Sequence, residues 1–491
     1  MRCRNFLTAT VCLFFVLATY AQLCGEISYS DSPVFPSGVK GGRIRSAIDA
    51  WNGGSPELIH RFLAAQCTEK MRSTVSEDEQ VVFALGFLAQ TGGVDFSGIR
   101  SYVPARADQT VVIVKDRNYE NFWALVFSFS DDPDPLIASL VLNQARPPSG
   151  LQEPPLTEAD VVAQTKALVA RLASRGSFSG VMLLAKGDHV LVAMAGGEAS
   201  KAFHVPNNVD TKFNLGSMNK MFTATAAMRL VEQGKIALDD PLSKFLDETW
   251  LPTSVSETIT IRQLLSHSSG LGSYFNDAFD RSSRALFRRL DDYKPLIKDE
   301  KSAFTPGSRF QYSNTGMFLL GVVIEKVTGQ DYFEHIRRVI YEPAGMKSSD
   351  CYEMDTPVAN LAIGYSPDPK SPSGWRNNLY KHVIKGGPAG GGFSTVLDLH
   401  RFAMALLGGK YVSAETLKAM WTDYFGANYG FGFTVSQGPG GRIVGHSGGF
   451  DGVHSQLDIY LDSGYIVAVM SNVDLGASSL VRKLNRLLSR I

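Results

Sequence analysis

The sequence predicts an α+β fold: an antiparallel sheet flanked by helices, split by a mainly helical insert and preceded by a small α+β unit. Three observations point there. Strand-like runs occur at both ends of the main domain, near 180–195 and 442–470. Residues 210–420 between them are mostly helical and loop-rich. Upstream, helical patterns followed by strand patterns lie between two composition breaks, at 22–40 and 147–156. A length of 491 residues suggests two or more domains.

At the N-terminus, Arg2 and Arg4 precede an apolar stretch from Phe6 to Ala21, and Thr19-Tyr20-Ala21 offers a small–x–small cleavage site. Residues 1–21 therefore read as a signal peptide, implying a secreted or periplasmic protein. The stretch is short of the roughly 20 apolar residues a spanning helix needs, so cleavage is expected rather than an uncleaved anchor, with no stable membrane insertion afterwards. Leu23 is too large to precede a lipidated Cys24. Residues 22–40, polar and carrying Pro33 and Pro36, read as linker.

Residues 41–146 make the small unit. Ile44, Ala47, Ile48 and Trp51 sit at helical spacing, and Asn52-Gly53-Gly54 stops that helix. Ser55-Pro56-Glu57 opens a second helix, and Ser76 with Glu79 forms a capping box for a third. Thr110–Val114, Phe122–Phe129 and Ile137–Leu142 read as strands. Helices followed by strands suggest a curved sheet wrapping a helix, a pattern similar to NTF2-like or cystatin-like domains. No residue of this unit announces chemistry. From Pro147-Pro148-Ser149-Gly150 to Pro154-Pro155 the chain reads as a stiff linker, 147–156.

The main domain spans 157–491. Thr157 caps a helix that Gly176 ends, and Gly180–Ala185 with His189–Ala195 form a hairpin across Lys186-Gly187-Asp188. At the far end, Arg442–Gly445 is a short strand, Val453–Leu461 alternates, and Asp462-Ser463-Gly464 turns into Tyr465–Met470 before a final helix.

Lys+Arg and Asp+Glu both number 48, a neutral balance that implies no nucleic-acid partner and no anionic membrane surface. Of five cysteines, Cys24, Cys67 and Cys351 follow the signal. They are too far apart for a disulfide framework or a zinc site, and one bridge at most is open to them. No H-E-x-x-H or C-x-x-C occurs, so no metal and no cofactor is expected. A small-molecule or peptide substrate is the expected partner.

Chemistry centres on Ser217-Met218-Asn219-Lys220. Phe213 to Gly216 leads into a strongly helical stretch, Met221 to Gln233, which puts Ser217 at a helix N-terminus. Free N–H groups and the helix dipole there favour developing negative charge. Ser217 and Lys220 are i and i+3 and share a helix face. A serine hydroxyl needs a base, and a lysine serves if burial keeps it neutral. Tyr312-Ser313-Asn314 precedes an apolar helix near Met317 and adds a proton shuttle and an amide. His446-Ser447-Gly448-Gly449, at the end of a short strand, adds glycines and an N–H for an oxyanion. Each motif is weak alone: Ser37 to Lys40 and Tyr119-Glu120-Asn121 match the first two equally well, in places better read as linker and strand edge.

The order and spacing of the three motifs resemble the serine β-lactamase and penicillin-binding-protein superfamily, nearest to class C enzymes and D-Ala-D-Ala carboxypeptidases. Further stretches agree: Phe213-Asn214-Leu215-Gly216, Leu230 to Leu246, Ile259 to Leu271, Pro343 to Met346 and Gly390 to Phe402, so the likeness covers roughly 156–491. The resemblance implies a β-lactamase/transpeptidase-like fold and a serine hydrolase. Ser217 would form an acyl-enzyme, Lys220 and Tyr312 would share acid and base work, and Asn314 would bind the substrate amide. The N–H groups of Ser217 and Gly449 would make the oxyanion hole, beside His446 and Gly448. Tyr312 would be the base for release of the acyl group.

One departure bears on substrate. His446 stands where the family's β-lactamases usually carry lysine. Its ordinary pKa near ~6.5 leaves it mostly neutral, which weakens the pull on a substrate carboxylate. An esterase, D-amino-acid peptidase or carboxypeptidase is expected ahead of a β-lactamase. The alternative is a penicillin-binding-like sensor or binding protein without turnover. Lys385-Gly386-Gly387, His267 and His400 read as structural, and His454 as a residue that lines the site.

Overall fold

The structure, a computed structural model, describes residues 28–491 apart from 105–108, 369–370, 439 and 475. The expected signal peptide 1–21, and Cys24, lie outside the described residues. No described helix is long and apolar enough to cross a membrane.

The N-terminal unit runs β1 (Ser28–Ser32), α1 (Gly38–Gly53), α2 (Pro56–Gln66), α3 (Glu69–Thr74), α4 (Glu77–Thr91), β2 (Val94–Val103), β3 (Gln109–Asp116), β4 (Phe122–Phe129) and β5 (Ile137–Gln144). The strands pair antiparallel in sequence order, and Val112, Val114, Leu125 and Phe127 bury one face of the sheet against Ile44, Trp51 and Phe87 of the helices. The helix signals act locally as their chemistry dictates. Ser55 Oγ accepts from Leu58 N–H at 3.2 Å, and Ser76 and Glu79 close a capping box.

The expected linker 22–40 is corrected over its described part, 28–40. Ser28–Ser32 is an edge strand on β2, held by Arg100, whose guanidinium grips Asp31 with bonds of 2.9 and 3.0 Å. Ser37 is the N-cap residue of α1, so the competing serine–lysine match begins a helix. A strand made of Ser-Tyr-Ser-Asp-Ser has no apolar alternation to betray it.

The main domain is built on one six-stranded antiparallel sheet. Its order is Thr434–Gly438, Gly441–Phe450, Val453–Tyr460, Tyr465–Ser471, β6 (Gly180–Lys186) and β7 (His189–Gly196). Strands from both ends of the domain thus meet in the middle, with Tyr465–Ser471 on β6. Alternation splits the sheet into two faces. Met182, Leu184, Val467 and Val469 pack under α5 (Glu158–Ser174) and the C-terminal helix Gly476–Leu488. Val181, Leu183, Leu457 and Ile459 pack under the helical insert, whose centre is α6 (Asn219–Glu232). Because α6 is buried nearly all round, from Asn219 to Met228, its N-terminal end cannot move without repacking the core.

One strand expectation changes, and one strand was not foreseen. The run foreseen as Arg442–Gly445 extends over Gly441–Phe450, so the His446 motif lies within a strand. Within the sheet Thr434–Gly438, which carries no clear alternation, pairs with residues 441–445. It leaves the edge from His446 to Phe450 uncovered on that side, facing the insert.

The two units are joined by contact. Tyr119, expected as strand-edge polarity, is fully buried in the cluster around α5 and the C-terminal helix, and its hydroxyl donates to Ser177 O at 3.3 Å. Asn121 Nδ2 donates to Ser479 O at 2.9 Å, and Lys483 pairs with Glu120 at 2.6 Å. The proline-rich stretch is strapped down at both ends: Arg100 donates to Pro147 O at 3.1 Å and Leu156 N–H to Arg490 O at 2.8 Å. The Tyr119, Asn121 and Lys483 contacts lie on the sheet face opposite α6.

Candidate active site

Ser217 sits in a tight turn, Gly216–Met218, that feeds directly into α6. The chain arrives along a two-residue strand, Phe213–Asn214, paired with Phe393–Ser394. Asn214 Oδ1 accepts from Gly216 N–H at 2.8 Å and fixes the bend. Gly216 has φ 50°, and a Cβ there would lie 2.8 Å from Gly449 N and 3.0 Å from Gly448 Cα. Only glycine lets the Ser217 turn press onto the open edge of Gly441–Phe450. Gly448 is as constrained, since a Cβ would strike Leu215 O. Ser455, on the next strand, ties the turn to the sheet by donating to Leu215 O at 2.8 Å. The backbone N–H groups of Ser217 and Gly449 are thereby brought to one place.

Lys220 is completely buried. Its Nζ lies 3.0 Å from Ser217 Oγ, 2.9 Å from Asn314 Oδ1 and 2.5 Å from Ala389 O. Burial drives its pKa well below the ordinary lysine value. The geometry suits the neutral amine. Two of the three neighbours are carbonyl oxygens that accept only, so they take the two N–H groups, and the lone pair is left facing the Ser217 hydroxyl.

Tyr312 lies beside Ser217, whose hydroxyl partly offsets the effect of burial on the phenol, and Lys220 Nζ stands 4.8 Å from the centre of its ring. Burial raises the phenol, so it is protonated at neutral pH. Asn314 opens the helix Asn314–Thr328, where Ser313 caps Gly316 N–H at 2.8 Å, and Asn314 Nδ2 donates to Ser273 Oγ at 3.2 Å. The second Asn314 N–H is available for a substrate carbonyl.

His446 is 4% exposed. Its Nδ1 lies 2.5 Å from Ser447 O, which accepts only, so Nδ1 carries the proton and Nε2 accepts from the Tyr429 hydroxyl at 2.9 Å. Burial, with Lys220 nearby, holds it down to about 3. The residue therefore presents neither a charge nor a free N–H. Ser447 and Gly449, which alternate with it, are exposed on the strand edge.

All seven residues singled out in the sequence (Ser217, Lys220, Tyr312, Asn314, His446, Gly448 and Gly449) converge on this one edge-and-helix junction. A family model described as Beta-lactamase matches residues 165–489. The chain belongs to the beta-lactamase family. Penicillin-binding protein 4* of Bacillus subtilis (strain 168) is 30% identical over 322 residues, 62% of this chain and 70% of that protein. Esterase EstB of Burkholderia gladioli is 30% identical over 219 residues, 42% of this chain and 55% of the esterase. Among solved structures, the penicillin binding protein from Bacillus halodurans superposes with TM-score 0.60 at 32% identity, covering 65% of this chain and 98% of its own. A D-stereospecific amidohydrolase from Streptomyces sp. does so with TM-score 0.54 at 26% identity, covering 67% and 97%. Relatives of this beta-lactamase family member thus carry names of penicillin-binding, esterase and amidohydrolase proteins. The family match begins at 165, beyond the N-terminal unit.

Other residues take their places around the site. His267, with φ 54°, accepts from Ser313 N–H at 3.1 Å through Nδ1 while its carbonyl accepts from Gln311 N–H at 2.8 Å, so it shapes the tyrosine loop. Lys385 pairs with Glu353 at 3.3 Å and His400 lies 2.8 Å from Gly187 O, both structural as expected. His454 is corrected. On its strand Ser455, Leu457 and Ile459 face α6, so His454 faces the other way, where its Nδ1 accepts from Ala477 N–H at 3.2 Å. Cys67 and Cys351 are buried free thiols. Among the described residues no group of three or more His, Cys, Asp or Glu side chains could hold a metal ion. Sequence reasoning missed Tyr429, Ser273 and the Ala389 carbonyl. Tyr429 lies in an aromatic–glycine run that reads as core, and a carbonyl leaves no trace in residue identity.

Proposed function

We propose that this protein is a secreted or periplasmic serine hydrolase that cleaves an ester or amide through an acyl-enzyme on Ser217. The observation that carries this is the fully buried Lys220 with two carbonyl acceptors and one hydroxyl as its neighbours. Lys220 takes the Ser217 proton as Oγ bonds to the substrate carbonyl carbon. The resulting oxyanion rests on the N–H groups of Ser217 and Gly449. The carbon–leaving-group bond then breaks, and Tyr312 gives the departing oxygen or nitrogen its proton. Water adds to the acyl carbon and frees Ser217. Before water adds, Lys220 passes its proton to the Tyr312 oxygen, because burial favours the phenol and the neutral amine, and Lys220 so restored takes the proton of the attacking water in place of Tyr312.

The His446–Tyr429 pair argues for substrates without a carboxylate at this position. Both imidazole nitrogens are engaged inside the protein. An ester or a D-amino-acid amide or peptide fits better than a β-lactam. The test is release of nitrophenolate from a short-chain nitrophenyl ester by the mature protein, beside Ser217→Ala. Turnover lost in the variant supports the reading. A wild-type protein that forms a lasting penicillin adduct by mass and turns over no ester is a sensor or binding protein instead.

A further inference from the structure

Helix α6 ends, about 20 Å from Ser217, beside a cavity of about 270 Å³ that this chemistry does not use. Arg229 and Lys235 line it on one side, and His335 and Arg338 on the other, among apolar Leu230 and Val339. Arg229 donates to Lys410 O at 3.4 Å and Arg338 to Gln330 Oε1 at 2.6 Å, and neither bond neutralises a charge.

His335 is 4% exposed, and its tautomer is set by its neighbour. Gln330 Oε1 already accepts from Arg338, so it also accepts from His335 Nδ1–H at 2.9 Å. Nε2 is left buried without a hydrogen-bond partner, as a bare lone pair. Burial and the charges of Arg338, Lys235 and Arg229 hold the imidazole down to about 4, so it stays neutral under physiological conditions. The cavity thus offers three cations for negative oxygens and one buried acceptor that wants a donor.

We infer that this cavity binds a phosphate group that still carries one acidic proton, with Arg229, Lys235 and Arg338 on its charged oxygens and His335 Nε2 accepting from its P–OH. The volume exceeds that of the ion and leaves room for waters at roughly 30 Å³ each, or for the substituent of a monoester. Sulfate matches the charge but has no proton to give, so it satisfies the cations and leaves Nε2 unpaired.

The experiment is titration calorimetry of the mature protein at pH 6.0 with inorganic phosphate, glycerol phosphate and sulfate. Phosphate is expected to bind at least fivefold more tightly than sulfate. Lys235→Gln and Arg338→Gln, both at exposed positions, should each weaken phosphate at least fivefold with an unchanged melting temperature, and Ser217→Ala should bind as wild type. His335→Phe should erase the preference over sulfate. If that buried variant melts early, the two exposed variants still decide the matter. Tighter binding of glycerol phosphate than of inorganic phosphate identifies a monoester as the ligand, and the reverse identifies the free ion. No saturable binding, equal affinity for sulfate, or unweakened binding in both exposed variants overturns the inference.

Discussion

Replacing Asn314 with aspartate tests the neutral-lysine mechanism most directly. The side chain keeps its shape, but a carboxylate now stands 2.9 Å from Lys220 Nζ. At an effective dielectric near 20, unit charges at that distance attract by about 6 kcal/mol, or about 4 pK units. Asn314 is only half-buried, so solvent screening leaves about half of this, an upward shift of about 2 units for Lys220. A raised lysine pKa means the free-base form appears only at higher pH. The acidic limb of kcat/KM for a nitrophenyl ester should therefore move about 2 units up, costing roughly 100-fold at a pH on the wild-type limb. Part of the activity should return in alkaline buffer. In the proposed mechanism Asn314 also holds the substrate amide, and loss of that contact would lower kcat/KM equally at every pH, so the two effects separate in the profile. A limb that stays in place while activity falls uniformly would refute the role given to Lys220.

Gly216→Ala should keep the fold and lower kcat by about 10²–10³-fold, because the new Cβ at 2.8 Å from Gly449 N pushes the oxyanion donors apart; single-turnover kinetics measures this. Tyr429→Phe leaves His446 Nε2 without its donor and should cost about 1–3 kcal/mol of stability in denaturant melts, with only a few-fold change in kcat, since Tyr429 acts through His446. Tyr119→Ala should cost about 3–5 kcal/mol while ester turnover at 25 °C stays normal, because its cavity opens on the sheet face away from Ser217. Ser37→Ala, at the other serine–lysine match, should leave turnover unchanged.

How far the sequence foretold this molecule depends on whether the relevant signal was local. The caps at Ser55, Ser76 and Thr157 act on N–H groups within three residues, so the helices they open were legible. The hairpin across Lys186-Gly187-Asp188 was legible for the same reason. β1 was not, because an all-polar edge strand owes its pairing to β2, some seventy residues on, and to the Arg100–Asp31 bond. Ser217, Lys220, Tyr312, Asn314 and the His446 motif could be singled out because the chemistry proposed for them needs side chains of particular types. Tyr429 could not, as any buried tyrosine looks alike until its partner is known. The protonation of His446 was half legible: its identity allows a neutral ring, but only the burial and the Tyr429 and Ser447 bonds make it so.

The position of Lys220 ties these observations together. It is the second residue of α6, where the partial positive charge of the helix N-terminus opposes an ammonium and favours an oxyanion. The same feature that keeps the lysine a base therefore assists the intermediate that the base creates. Burial adds to both effects, since a low dielectric penalises the isolated ammonium and strengthens the N–H dipoles around the oxyanion. A carboxylate within reach of Lys220 would reverse the first effect by stabilising the ammonium. The acceptors found there, Asn314 Oδ1 and Ala389 O, are uncharged carbonyls that bind either protonation state without favouring the cation to that extent. Placement on α6, burial and neutral acceptors thus keep one proton away from Lys220 in the resting protein, the state that the proposed attack by Ser217 requires.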